Sequence, residues 1–243
     1  MPLDHSAPAA GPLAEAFRHQ IARQGLADAG AGDFIASVLG DYRPEELPGL
    51  SVEALSVALA GFWAFAQAWD GGAPAVRITP RVTWDGEAAD VLEIVQRDAP
   101  FLVDSVMGEV SDARASVRAM FHPVVAVGDR RASMIQVWLE PLSESRHAGL
   151  VQGVRAALAD VRSAVDDFPE MLALMARSIE ALEAAGPAVS DPEALAEDLA
   201  FLRWLDAGHF VFLGARTYDY PRTADGGYAA EEPLYESQGS LGV

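Results

Sequence analysis

The sequence has no cysteine and no lysine. Without thiols, disulfide frameworks, thiolate zinc sites, iron–sulfur clusters and cysteine nucleophiles are excluded. Without lysine, every cationic side chain is a guanidinium, which stays protonated and serves neither as a ready proton shuttle nor as a Schiff-base amine. The same absence rules out a Walker phosphate loop. Positive charge is also scarce: 17 arginines face 36 carboxylates, for a net charge of −19. Such a field repels phosphate backbones and anionic lipid surfaces, so no nucleic acid and no membrane is expected as a partner. No stretch of about 18 uncharged apolar residues occurs, since the Ala/Leu-rich run at 52–69 holds Glu53. The opening Met-Pro-Leu-Asp-His lacks a basic and apolar leader pattern, and a cytoplasmic location is the expectation.

Known catalytic signatures are missing as well. There is no G-x-G-x-x-G after a strand, no H-E-x-x-H and no G-x-S-x-G. The five histidines, at 5, 19, 122, 147 and 209, form no i, i+4 pair. His122 reads as structural, and His209, after a helix-ending glycine, reads as a cap for the last carbonyls. The adjacent carboxylates Asp166-Asp167 and Glu231-Glu232 point apart and read as solvated charge runs. No catalytic, cofactor-binding or metal-ligating set is expected in this chain.

What is present is ordinary globular sequence: 243 residues, 51% hydrophobic and 22% charged, enough for one or two domains. Residues 1–12 read as a loose tail. Residues 13–72 read as a helical module with apolar stripes through Phe17 and Ile21, Phe34 to Leu39, and Leu55, Leu59, Phe62, Phe65 and Trp69. The Gly30/Gly32 and Gly71-Gly72 pairs are taken as breaks. Residues 74–186 then change texture. Runs 76–83 and 90–97 alternate around Asp85-Gly86, the pattern of a hairpin. A helix follows with Asp98 as candidate N-cap and Leu102, Val106 and Val110 buried. Strand-like runs at 115–127 and 132–140 flank Gly128-Asp129, and a further amphipathic helix carries Leu150, Val154, Leu158, Val161 and Val165. Pro169 interrupts that pattern before helical sequence resumes to about Ala185.

This β-β-α-β-β-α order predicts an α+β fold. The sheet is antiparallel and ferredoxin-like with its helices on one face, and strand 76–83 fills the edge where the usual fourth strand would lie. Alternation puts Leu92, Ile94, Val117, Ala119, Phe121, Ile135, Val137 and Leu139 on the helix side. Glu93, Arg97, Arg118, Met120, His122, Met134, Gln136, Trp138 and Glu140 fall opposite. That second face mixes thioether, indole and charge, and Arg118, Met120, His122, Met134, Gln136 and Trp138 are its candidate interface. The expectation is docking against another domain or subunit, with a solvated face as the alternative. In residues 190–243, Asp191-Pro192 starts a last helix ending at Gly208. Residues 209–220 read as a strand and Asp225-Gly226-Gly227 as a turn, the opening of a further α/β segment. The strand–helix turn Arg97, Asp98, Pro100, Phe101 and Asp104 is the one candidate ligand site, either capped by Asp98 alone or open to a carboxylate.

Three phrases carry a family resemblance: RDAPFLVDSV, FHPVVAVG and SMIQVWLE within 91–140. FLRWLDAGHFVFLGARTYDY at 201–220 and the closing SLGV extend it over roughly residues 15–243. The chain resembles the N-terminal, ACT-domain region of the large bacterial NAD-specific glutamate dehydrogenases. The resemblance implies a parent enzyme that converts L-glutamate, NAD and water to 2-oxoglutarate, ammonia and NADH. It further implies that NAD and the substrate-holding lysines belong to the rest of that enzyme, and that this chain alone is not an enzyme. Remaining domains and other subunits are the implied partners, with an amino-acid effector as a further one. ACT domains that bind amino acids usually carry Asp-x-Pro-Gly at the strand–helix turn. Here Asp98, Ala99 and Pro100 match and Phe101 replaces the glycine, which crowds the ligand space and favours assembly over sensing. A free-standing amino-acid-binding ACT protein is the alternative.

Overall fold

The computed structural model describes residues 10–41, 51–84, 87–186, 190–220, 223, 234–235 and 240–243. Its residues group into two compact units, Met1–Ala159 and Asp160–Val243.

In the first unit three helices precede the sheet: α1 (Ala10–Arg23), α2 (Ala29–Asp41) and α3 (Val52–Gln67). Ala10 to Pro12, read as tail, instead form the first turn of α1, where a proline costs no helical hydrogen bond. Gly30 and Gly32 do not break the chain but open α2, whose Ala31 N–H is capped by Asp28 Oδ1 at 2.8 Å. The reason for Gly30 is close approach. A Cβ there would lie 2.6 Å from the Ala126 carbonyl and 2.9 Å from the Trp63 ring. Ser51 caps α3 by accepting the Ala54 N–H at 3.1 Å. Phe17, Phe34, Phe62 and Trp63 make one cluster, with ring centroids 5.4–6.0 Å apart along the chain of contacts. Trp63 Nε1–H donates to the Leu26 carbonyl at 3.2 Å, so the indole enters the core with its polar edge satisfied.

The sheet is antiparallel with order β1-β2-β5-β3, and β4 also pairs with β5. Its strands are β1 (Ala75–Trp84), β2 (Glu87–Arg97), β3 (Val117–Phe121), β4 (Val124–Val127) and β5 (Arg130–Leu139). This is the ferredoxin-like arrangement with the hairpin strand β1 in the vacant edge position. The expected turn at Asp85-Gly86 lies outside the described residues. The run 115–127 forms two strands rather than one, because His122-Pro123 interrupts it. The ladder still continues through the Met134 N–H to the Pro123 carbonyl at 2.9 Å.

Side-chain faces agree with alternation on β2 and β5 and disagree on β3. A register shift lies between Val117, opposite Leu139, and Ala119, opposite Trp138. One extra residue reverses every later side chain. Ala119 and Phe121 therefore lie with Trp138 and Gln136, whereas Met120 lies with Val137, opposite to the face expected for each. A second shift, between Thr79 and Val82, brackets Pro80 on the β1 edge.

Helix α4 (Leu102–Asp112) buries Leu102, Val106 and Val110, as its spacing predicts. Helix α5 (Glu144–Ala185) is continuous, so Pro169 does not end it. The proline removes one N–H donor but sits exposed, where water can reach the carbonyl left without a helical partner.

The second unit adds α6 (Pro192–Trp204), capped by Asp191 Oδ1 on the Ala194 N–H, and a π turn over Leu205–His209. Gly208 takes φ 87°, and His209 Nδ1 lies 2.7 Å from the Trp204 carbonyl, where it can donate as the cap its position predicts. The expected strand at 209–220 is reduced to two-residue pieces, β6 (Gly214–Ala215) and β7 (Tyr218–Asp219). They pair with β9 (Leu241–Gly242) and β8 (Leu234–Tyr235) respectively. The expected turn at 225–227 lies outside the described residues.

The Gly30 contact yields a paired prediction. Gly30→Ala should destabilise the chain by about 1–3 kcal/mol through backbone overpacking. Gly32→Ala, with nothing within 4 Å of its Cβ position, should be neutral or stabilise by up to about 1 kcal/mol. Urea denaturation of the two variants measures both values.

Candidate functional site

The candidate ligand turn joins β2 to α4. Arg97 closes the β2–β5 ladder opposite Ala132 and is exposed. Asp98 does not cap α4. Its Oδ2 accepts from Arg131 Nε at 3.1 Å, on the neighbouring strand, because the turn carries Asp98 three residues ahead of the actual cap position. That position belongs to Phe101, at φ 67° and ψ 2°, with no side-chain cap bond. Phe101 thus adopts the left-handed conformation that glycine takes readily, at the position where the resemblance places a glycine. The residue is 47% exposed. Pro100 is exposed ahead of the helix, and the exposed Asp104 lies in the first turn, where a carboxylate already complements the helix dipole. A dinucleotide needs close backbone approach at such a turn, which a side chain at Phe101 obstructs, so these residues do not fit NAD.

The six candidate interface residues separate. Met134, Gln136 and Trp138 are fully buried beneath the chain's own helices α1–α3. Arg118, at the register shift, pairs with Glu140 Oε1 at 3.0 Å. Met120 is 39% exposed, and His122 Nε2 lies 2.7 Å from Ser133 Oγ.

Beneath α3 lies a polar network that alternation only partly revealed. Glu93 is 3% exposed at the centre of β2. One of its oxygens accepts from Arg77 Nε at 2.6 Å and from Thr79 Oγ1 at 3.1 Å, and the other from Gln136 Nε2 at 3.0 Å. Trp138 Nε1–H in turn donates to Gln136 Oε1 at 3.2 Å. Arg77 spans to α3, donating from Nη2 to the Gly61 carbonyl at 3.0 Å and stacking 4.2 Å above the Phe65 ring. With Trp138, Gln136, Thr79 and Arg77 all committed, this cluster is a structural joint. Arg77 was not foreseen because turn-based counting from Asp85-Gly86 places it opposite Ile94. The shift at Pro80 moves it opposite Glu93.

On the other face, buried Asp90 accepts the Leu142 N–H at 2.7 Å and lies 2.5 Å from His147 Nε2, which anchors the start of α5. Arg146 donates to the Ala113 and Arg114 carbonyls at 2.7 and 3.0 Å, beside a cavity of about 270 Å³ lined also by Glu109, Gly149 and Leu150. Among the described residues no group of three His, Asp or Glu side chains could hold a metal ion. Nor is any described helix long and apolar enough to cross a membrane.

Comparison with known proteins gives a consistent picture. Residues 34–154 match the family model described as the glutamate dehydrogenase ACT1 domain. The chain is 31% identical over 198 residues to the NAD-specific glutamate dehydrogenase of Halomonas elongata, covering 72% of this chain and 12% of that protein. It is 28% identical over 204 residues to the NAD-specific glutamate dehydrogenase of Pseudomonas aeruginosa, covering 74% and 12%. The chain therefore spans about an eighth of the length of these relatives.

Two substitutions test this geometry by chemical denaturation. Glu93→Ala should cost about 2–3 kcal/mol, somewhat less than a fully buried pair because the Arg77 side chain is 40% exposed. Phe101→Gly should stabilise by about 1 kcal/mol by relieving the left-handed strain.

Proposed function

Since residues 34–154 belong to the glutamate dehydrogenase ACT1-domain family, we propose that this chain is a non-catalytic N-terminal assembly and regulatory region of a large NAD-specific glutamate dehydrogenase. The parent enzyme would carry out oxidative deamination: L-glutamate, NAD and water give 2-oxoglutarate, ammonia and NADH. The carrying observation is the extent of the family match. It runs from within α2 through α3 and the whole sheet into α5, which is most of the first unit's core but not α1.

Three features support a holding role over a reacting one. The chain has no lysine to grip a substrate carboxylate or activate water. Its strand–helix turn carries Phe101 in place of glycine, and Asp98 of that turn is engaged by Arg131. The sheet face richest in functional side chains is covered by α1–α3, so those groups bind structure and not ligand. NAD and the reacting groups would then be supplied by the remainder of the parent enzyme. An amino-acid effector at the Arg97–Asp104 turn is disfavoured on the same grounds.

Two measurements on the purified chain test this reading. Glutamate and NAD together should yield no NADH, and turnover by the chain alone would end the proposal. Thermal unfolding in the presence of each amino acid at millimolar concentration should leave Tm unchanged. A Tm that rose with the concentration of one amino acid would replace assembly by sensing, as mass-action stabilisation requires.

A further inference from the structure

The described residues of the second unit form little core. Among its described residues only Ala164 and Met171 are buried hydrophobics. Helix α6 is 13 residues long and none of its residues is fully buried; Leu195, Leu199 and Leu202 form a half-buried stripe. A helix of that length is marginal in water unless an apolar face is packed. Yet Phe201, Trp204, Phe210, Val211 and Leu213 are all exposed, Trp204 by 44%.

These side chains are ordered against one another. The Trp204 ring stacks on His209 at 4.7 Å and on Phe201 at 6.2 Å, and meets Phe210 edge-on at 5.3 Å. Gly208, at φ 87°, reverses the chain so that His209 and Phe210 return to the indole, and the His209–Trp204 carbonyl contact fixes that return. The result is a preformed aromatic surface, which loses little side-chain entropy on being covered.

Its surroundings are acidic. Residues 160–243 hold sixteen carboxylates and five arginines. Glu197 and Asp198 precede Phe201 by four and three positions, on the same face of α6. Arg203, on the same helix, is paired with Glu183. A second copy of this chain would bring like charge to such a surface, which opposes self-association.

We propose that residues 201–213 form a docking surface for an apolar, arginine- or lysine-bearing segment of the longer polypeptide. This rests on the function proposed above and adds to it a place and a chemistry. The charge complementarity selects a basic segment, and a guanidinium or ammonium can pack on the exposed rings of Phe201 and Phe210. The source is the same polypeptide because the relatives are about eight times the matched length, and a tethered segment acts at high effective concentration.

Hydrogen exchange read by mass spectrometry, on this chain and on the complete product of its reading frame, tests the proposal. Amides of 204–213 should exchange about 100-fold slower in the complete polypeptide. Trp204→Ala should return them toward the rates of the isolated chain. So should the double change Glu197→Lys with Asp198→Lys, which preserves helix propensity. Amides of α3 and β5 should be unaffected, which reports correct folding. Equal rates in the two proteins would overturn the proposal, as would protection that survives both variants. Protection of the isolated chain that grew with its concentration would also overturn it, in favour of a second copy. A complete polypeptide that reduces NAD with glutamate yet leaves 204–213 unprotected removes only this inference. One that shows protection without such activity removes the proposed function instead.

Discussion

A carboxylate in the middle of a sheet has to be answered from every side, and Glu93 is the residue around which the first unit is arranged. Left alone at 3% exposure its charge would cost several kcal/mol. Three donors meet it, from β1 twice and from β5 once, so the registers of three strands are fixed by one side chain. A slip of one residue in either neighbour would present an apolar side chain to the charge. Arg77 then carries the constraint out of the sheet to the Gly61 carbonyl and the Phe65 ring, which sets where α3 lies. The aromatic cluster of α1–α3 supplies burial, whereas the Glu93 joint supplies uniqueness. An apolar contact is tolerant of small displacements, and a buried ion pair is not.

Much of this was legible in the sequence because helices and strands announce themselves by period. Phe17, Ile21, Leu55, Leu59 and Phe62 marked the module, and Ile135, Val137 and Leu139 marked the α4/α5 side of the sheet. Placing strand 76–83 at the vacant edge followed from pairing rules alone. What was not legible came from single-residue irregularities. The shift beside Pro80 hid the Arg77–Glu93 pairing, and the shift at Arg118 reversed the faces of Ala119, Met120 and Phe121. Neither bulge leaves a periodic trace, since each alters register without altering composition. Pro169 misled in the opposite direction, because a lone exposed proline does not outweigh the helical sequence on either side of it.

The candidate turn was found by its position between strand and helix, but its chemistry depended on a dihedral angle. Asp98 was assigned a capping role on residue type, and the structure gives it Arg131 instead. The positive φ of Phe101 shows why the glycine of related turns is informative. The backbone shape persists here while the space that shape normally leaves open is taken by a ring. The two units also differ in kind. The first closes its own core on both faces of the sheet, and the second leaves Phe201, Trp204 and Phe210 exposed.

The two prolines at the margins of the sheet have a further effect. Pro80 lies within β1, beside its bulge, and Pro123 divides β3 from β4, so neither outer rim is one uninterrupted regular strand. Lateral recruitment of a foreign strand, the route by which bare rims nucleate fibrils or fuse neighbouring molecules, is discouraged on both sides. The sheet is finished as a five-stranded object.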